Sequence, residues 1–398
     1  MTATSTPPAA APAVAAAPPL APDPPQQLLA IPRFRLLLCV QLLFWSASAV
    51  FLMLPKYLAQ QLHTDAVWIG LIMSGVGLGA VLTAPAIGAL TRWCGRRRCL
   101  LLANLAMALG CLLFIGVDQP GPLAVLARSL QGVAGALLYA HGTVLVADLV
   151  PPARLPSAIA LFMTAGLVPN VISPPAAEWL LAHQGPQLLF AGAGVLALLA
   201  ALLAWRLPDG AAAAPSAAGG AAAARPAGAL LAVSLLFGVA AGVVFTFHQP
   251  LALARGAGRV SDFLVTFTLT ATTLRLAGGR VIDALGSARV ARWSAAGYVV
   301  VMLAMAAMGP GQLALLGMVF GCTHGLFFPS FVALVLSRGE AGREGRMAWI
   351  GACDKLGFLS VAALGLLAHR WGYAPLFVLA AGLLVVATGI LVRVTRRA

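Results

Sequence analysis

Long apolar runs, separated by short clusters of arginine, glycine and proline, fill the chain. They lie at 36–58, 66–90, 99–117, 121–150, 157–182, 187–206, 228–254, 260–282, 287–308, 311–337, 347–369 and 373–392. A helix needs roughly 20 apolar residues to cross the hydrocarbon of a bilayer, so the pattern predicts twelve membrane-spanning helices. The long stretch 99–150 is cut at Asp118-Gln119-Pro120, a turn signal. Residues 207–227 are rich in Ala, Gly and Pro and divide the runs six and six, which reads as a cytoplasmic linker. The expected fold class is an all-α membrane protein with two six-helix halves, 33–206 and 228–398. Residues 1–32 are mostly Ala and Pro. They lack the basic start and apolar core of a signal peptide and read as a disordered cytoplasmic tail.

Composition narrows the class further. Of 398 residues, 61% are hydrophobic and 9% charged, and the mean hydropathy is +0.95. A soluble domain averages about 25% charged residues and could not hide this much apolar surface. A soluble enzyme, a disordered chain and a nucleic-acid-binding domain are thereby excluded. The net charge of +14 comes from arginines clustered between the runs, as the positive-inside rule produces. With the N-terminus in the cytoplasm, nineteen basic residues fall on inside loops and four on outside ends (Lys56, Arg255, Arg259 and Arg370). Both termini are therefore expected inside, in a multi-pass protein of the bacterial inner membrane. The six cysteines suggest neither a zinc site nor a disulfide framework. No phosphate-binding Gly-x-x-x-x-Gly-Lys loop is present. No metal, cofactor or enzymatic cluster is expected.

The halves repeat. Gly88-Ala-Leu-Thr-Arg-Trp-Cys-Gly95-Arg96-Arg-Arg between runs 2 and 3 echoes Gly279-Arg-Val-Ile-Asp283-Ala-Leu-Gly286-Ser-Ala-Arg between runs 8 and 9. Gly132 and Gly321 share a second offset with Arg154 and Arg343. Repeats of this kind belong to secondary transporters that bind substrate between the halves near the midplane. On these residues, from about 33 to 397, the chain resembles the major facilitator superfamily. The resemblance implies that the loop charges form a cytoplasmic latch. Gly88, Arg92, Gly95 and Arg96 would belong to it in one half, and Gly279, Asp283 and Gly286 in the other. Arg92 stands where the family usually has Asp, so the first half of the latch must be rewired. Asp148 and Arg154 flank the next inner loop as a candidate gating pair. In run 4, Arg128-Ser-Leu-Gln131-Gly132 is similar to the Arg-Gln-Gly motif of drug/proton antiporters. That likeness implies proton-coupled efflux of a small organic molecule by a monomer. An uptake permease or a non-transporting sensor on the same fold are the alternatives.

Charges inside the membrane are functional suspects. Asp354 is the acid farthest inside a helix. It reads either as a proton-coupling carboxylate or as a structural ion-pair partner. Lys355 lies about 100° round the helix from it, so the two need not face each other. Arg128, Gln131, Gly135 and Tyr139 share one helical face, expected to line a watery cavity. Arg128 is the second proton-coupling candidate, with structural pairing as its alternative. His324 and Phe328 are one turn apart in run 10. Gln41 with Trp45, and Asn170 beside Pro169, offer hydrogen bonds to a substrate or between helices. His248 near the outer end of run 7 and His141, opposite Arg128, are weaker cavity candidates. Glu178, near the outer end of run 5, is expected to reach water. Arg96, Arg97 and Arg98 set orientation, with lipid head groups as possible partners.

Overall fold

The computed structural model describes residues 25–151, 154–208, 228–277, 279–337 and 343–396. No strand occurs among them, and twelve long helices occupy the twelve apolar runs. The first six are α1 (Pro32–Gln60), α2 (Ala66–Thr83), α3 (Ile87–Leu113), α4 (Pro122–Leu149), α5 (Ser157–His183) and α6 (Pro186–Trp205). The second six are α7 (Gly228–Ala254), α8 (Ser261–Ala277), α9 (Ser287–Ala306), α10 (Leu313–Leu336), α11 (Trp349–Trp371) and α12 (Ala374–Arg396). Nine helical stretches among the described residues are long and apolar enough to cross a membrane, and one of them, Ala66–Gly116, bends once and covers two runs. The 17-residue α8 is short, and α9 opens on Arg289 and Arg292. The protein is a multi-pass integral membrane protein.

Local chemistry explains the breaks. The Asp65 side chain accepts the Trp68 amide at 2.9 Å and caps α2. Gly95 has φ 79° and Gly286 φ 81°, a left-handed conformation that glycine adopts without steric cost. These two glycines hold equivalent places in the repeated loops, so both halves make the same turn. The expected gap between runs 2 and 3 is narrower than the sequence suggested, because helix continues to Cys94 before the chain turns at Gly95. In α1 the helix tightens to 3-10 geometry at Phe51–Met53, ahead of Pro55. The tail expectation also needs correction at its end. Pro25–Leu29 is helical, and Leu28 is buried in the core. Gln27 Oε1 accepts from Arg154 Nη2 at 2.8 Å, which ties this helix to the bundle. The expected linker lies mostly outside the described residues.

Lipid is as apolar as leucine, so packing between spans relies on small residues that let backbones approach. Gly132 of α4 lies against the backbone of Val76 in α2. Its repeat partner Gly321 lies in α10 against α8, where a Cβ would sit 2.7 Å from the Phe267 carbonyl. The first half packs α4 on α2 and α3, with α6 against α1 and α3. The second packs α10 on α8 and α9, with α7 against α11 and α12. Between halves, α2 meets α11 and α5 meets α8. A Cβ on Gly365 of α11 would come within 2.5 Å of the Ala66 carbonyl. Tyr373, between α11 and α12, faces the Asp65 region of the first half. Burial, and then the Asp65 carboxylate, push its phenol above the ordinary value.

Candidate functional site

The strongest polar constellation joins the two halves at the end of the bundle that carries Lys56. Glu178 of α5 is buried. One carboxylate oxygen accepts from Lys56 Nζ at 2.6 Å and from the Val260 amide at 3.0 Å. The other accepts from the Ser261 amide at 3.0 Å. Val260 and Ser261 open α8, so an acid of the first half caps a helix of the second. Beside it, Gln249 of α7 is fully buried. Its Oε1 accepts from the Lys56 amide at 3.0 Å, and its Nε2 donates to the Leu52 carbonyl at 2.6 Å. Lys56 N–H and Leu52 C=O are the two groups that a regular helix would bond to each other. The Gln249 amide has therefore been inserted into the hydrogen-bond ladder of α1, at the break the 3-10 segment creates. These contacts correct the expectation that Glu178 simply reaches water.

Arg128 and Gln131 are buried on α4. Arg128 Nη1 donates to Gln131 Oε1, and its guanidinium lies 5.7 Å from the centre of the Phe51 ring. Gly75 of α2 makes room, because a Cβ there would meet Arg128 Cβ at 2.9 Å. The four-residue stripe thus does not line water along its whole length. Its Arg128 end is covered by α1 and α2. At the other end Gly135 adjoins open space, and Tyr139 is 62% exposed. Tyr139 lies thirteen residues beyond exposed Leu126, a little over three and a half turns, so it faces away from that side of the helix. Phe328 of α10, 48% exposed, stands in the same relation to exposed Leu315. Tyr139 and Phe328 also share the offset that pairs Gly132 with Gly321. The repeat has placed one exposed aromatic ring at equivalent positions of the two halves.

Gln41 of α1 is buried with its Oε1 unpartnered, and Gly166 of α5 leaves room for Gln41 and Trp45. Asn170, one turn further along α5, is half-buried. His324 shares a hydrogen bond with Tyr298, and its ring centre lies 5.3 Å from that of Phe267 and 5.7 Å from that of Phe320. His324 belongs to the aromatic interior of the second half. His248 is buried, with Nδ1 on the Val244 carbonyl at 2.6 Å. His141 pairs with Thr91 at 2.8 Å. Asp354 is only half-buried, and Lys355 Nζ reaches its Oδ2 at 2.9 Å. The two side chains do face each other, because long, flexible Lys355 swings back along the helix surface.

At the far end Arg96 Nη1 lies 2.5 Å from Asp148 Oδ2. Arg92, in the same loop, is exposed. Asp148 pairs with Arg96 and not with Arg154, which bonds Gln27 instead. Gly88 packs near the Arg92 guanidinium. Gly279 opens a short helix, Gly279–Leu285, and the Asp283 side chain lies outside the described residues.

The sequence model of the Major Facilitator Superfamily matches residues 36–260. No curated protein matches the chain. Among solved structures, a mutant of the nucleoside transporter NupG is similar at TM-score 0.77 and 14% identity, over 91% of this chain and 99% of that one. The human organic anion transporter MFSD10 is similar at TM-score 0.64 and 19% identity, over 93% and 100%. The xylose transporter XylE from E. coli follows at 0.66 and 16%, over 89% and 96%. The family match spans more than half of the sequence, and the chain belongs to the Major Facilitator Superfamily.

Proposed function

We propose that the protein is a proton-coupled exporter of a small organic molecule, working by alternating access in the bacterial inner membrane with both termini cytoplasmic. The observation that carries alternating access is the Glu178 cluster. A single carboxylate of one half holds a helix of the other by backbone amides alone, a contact that can form and release without disturbing either core. On the arginine count we take this cluster to lie at the outer mouth, which supports a conformation closed outside. Tyr139 and Phe328 then border a cavity reached from the cytoplasm. Two rings and the Asp354–Lys355 pair suit an amphipathic or zwitterionic solute. Arg128-Ser-Leu-Gln131-Gly132 supports export. The second reading is uptake, favoured by similarity to structures named as a nucleoside transporter and a D-xylose-proton symporter.

Everted membrane vesicles with an acidified lumen test the reading. A panel of drugs, amino-acid-like chelators, sugars and organic acids is added while a fluorescent probe follows lumenal pH. A compound that dissipates the gradient with wild type, and not with Asp354→Asn, establishes proton-coupled export through Asp354. Transport that survives in Asp354→Asn makes Asp354 structural. Silence across the panel removes antiport and leaves uptake.

A further inference from the structure

We propose that Cys94 and Cys99 form an oxidation site, a thiol pair that peroxide converts into a disulfide bridging the Gly95 turn. Their sulfurs lie 3.4 Å apart, close enough that small side-chain rotations reach bonding distance without a change of fold. The two differ in access. Cys94 is half-exposed, with its Sγ 3.1 Å from the Leu90 carbonyl, and Cys99 is fully buried directly behind it. An accessible sulfur backed by a second thiol is the arrangement in which oxidation stops at a disulfide and goes no further up the ladder to sulfinic acid.

The chemistry takes two steps. Hydrogen peroxide oxidises the Cys94 thiol to sulfenic acid, and one water leaves. The Cys99 sulfur then attacks the Cys94 sulfur, the S–S bond forms, the S–OH bond breaks, and a second water carries away the hydroxyl and the Cys99 proton. Two thiols of a cytoplasmic pool reduce the bridge by thiol–disulfide exchange, returning Cys94 and Cys99 to thiols while the pool pair becomes a disulfide, so the bond would be transient and regulatory.

Its placement gives it a target. The two cysteines straddle Gly95, whose φ of 79° makes the turn between the α2 and α3 spans. The next residue, Arg96, makes the ion pair with Asp148. A bridge across the turn fixes the direction in which Arg96 leaves it, and so fixes the latch. Nothing comparable exists in the second half, where Leu285 and Val290 stand at the positions equivalent to Cys94 and Cys99. Oxidation would act on one half only.

The test uses purified full-length protein in nanodiscs with a few equivalents of hydrogen peroxide, followed by alkylation and mass spectrometry. Trypsin cuts at Arg96, Arg97 and Arg98, so the disulfide appears as two linked peptides. The expected result is a linked pair that forms at least tenfold faster than oxidation of Cys39, Cys322 or Cys353, and that dithiothreitol reverses. Cys99→Ser should stop at sulfenic acid, trapped by dimedone on Cys94. Hydrogen exchange across 87–100 should slow on oxidation in wild type and not in Cys94→Ser, a half-exposed position where serine is tolerated. The proposal is overturned if all accessible cysteines oxidise at one rate, or if Cys94 passes to sulfinic acid while Cys99 still alkylates.

Discussion

The Ser261 amide donates to the Glu178 carboxylate at 3.0 Å, and with this bond an acid of the first half caps α8 of the second. The charge does the holding. Hydrogen bonds to an ionised acceptor are worth about 1.5–3 kcal/mol each, against about 1 for neutral pairs. Glu178→Gln keeps the shape and removes the charge, including the attraction to Lys56. The contact between the halves at this end of the bundle should then lose at least tenfold in its equilibrium. Hydrogen exchange of residues 255–265 should speed up by that factor while the interiors of α4 and α10 stay protected. Unchanged exchange in the variant would show that the carboxylate is only packing.

Gln249 makes a separate prediction, because its amide occupies a gap in another helix. Gln249→Leu removes both bonds to α1. It also returns Lys56 N–H and Leu52 C=O to each other, so neither need stay unsatisfied. The unusual expectation is that loss of a fully buried polar residue leaves thermal stability within about 3 °C, well below the cost of an orphaned buried group. Exchange at the Lys56 amide should slow as the ladder closes. A large drop in melting temperature would mean that α1 cannot straighten at Phe51–Met53.

The Arg96–Asp148 pair is part-exposed, so it should contribute about 0.2–1 kcal/mol to stability. Its expected role is conformational. Asp148→Arg should slow transport severalfold with little change in melting temperature, and Arg96→Asp combined with Asp148→Arg should recover most of the rate. No recovery in the reversed pair would show that the latch contact is incidental.

Much of this architecture is legible in the sequence because the membrane imposes it. Apolar length gives the helices, and Asp118-Gln119-Pro120 gives the cut before α4. The repeated loops announce the equivalent turns at Gly95 and Gly286. The site is less legible, for identifiable reasons. Helical periodicity puts Arg128 and Tyr139 on one face, and it says nothing of how deep α1 and α2 cover that face. Asp354 stands out by its depth in the sequence, yet the structure leaves it half-exposed with Lys355. Glu178 looks peripheral because it sits near a helix end. Its meaning depends on Val260 and Ser261, more than eighty residues away, and backbone amides carry no sequence signature. Lys56, one of only two lysines, was the available hint.

Arg128 separates structure from function most cleanly. Removing one member of a buried ion pair is costly because it strands the other charge. The described partners of Arg128 are the Gln131 amide and the Phe51 ring, and neither is a carboxylate. Arg128→Met would therefore strand no anion among the described residues. It gives up the cation–π contact and the donor to the buried Gln131 Oε1, together a loss of about 1.5–5 kcal/mol, and regains the desolvation cost of a guanidinium. The two roughly offset, so the melting temperature should stay within about 3 °C of wild type. Transport, once a substrate is in hand, should fall at least tenfold if the charge serves protons or solute. A melting temperature that drops by about 10 °C or more, with transport per folded molecule unchanged, would assign Arg128 to the scaffold. Arg128→Lys sharpens the distinction. Lysine keeps the charge and loses the planar fork that spans Gln131 and Phe51, so activity retained in Lys and lost in Met identifies the charge itself as the working part.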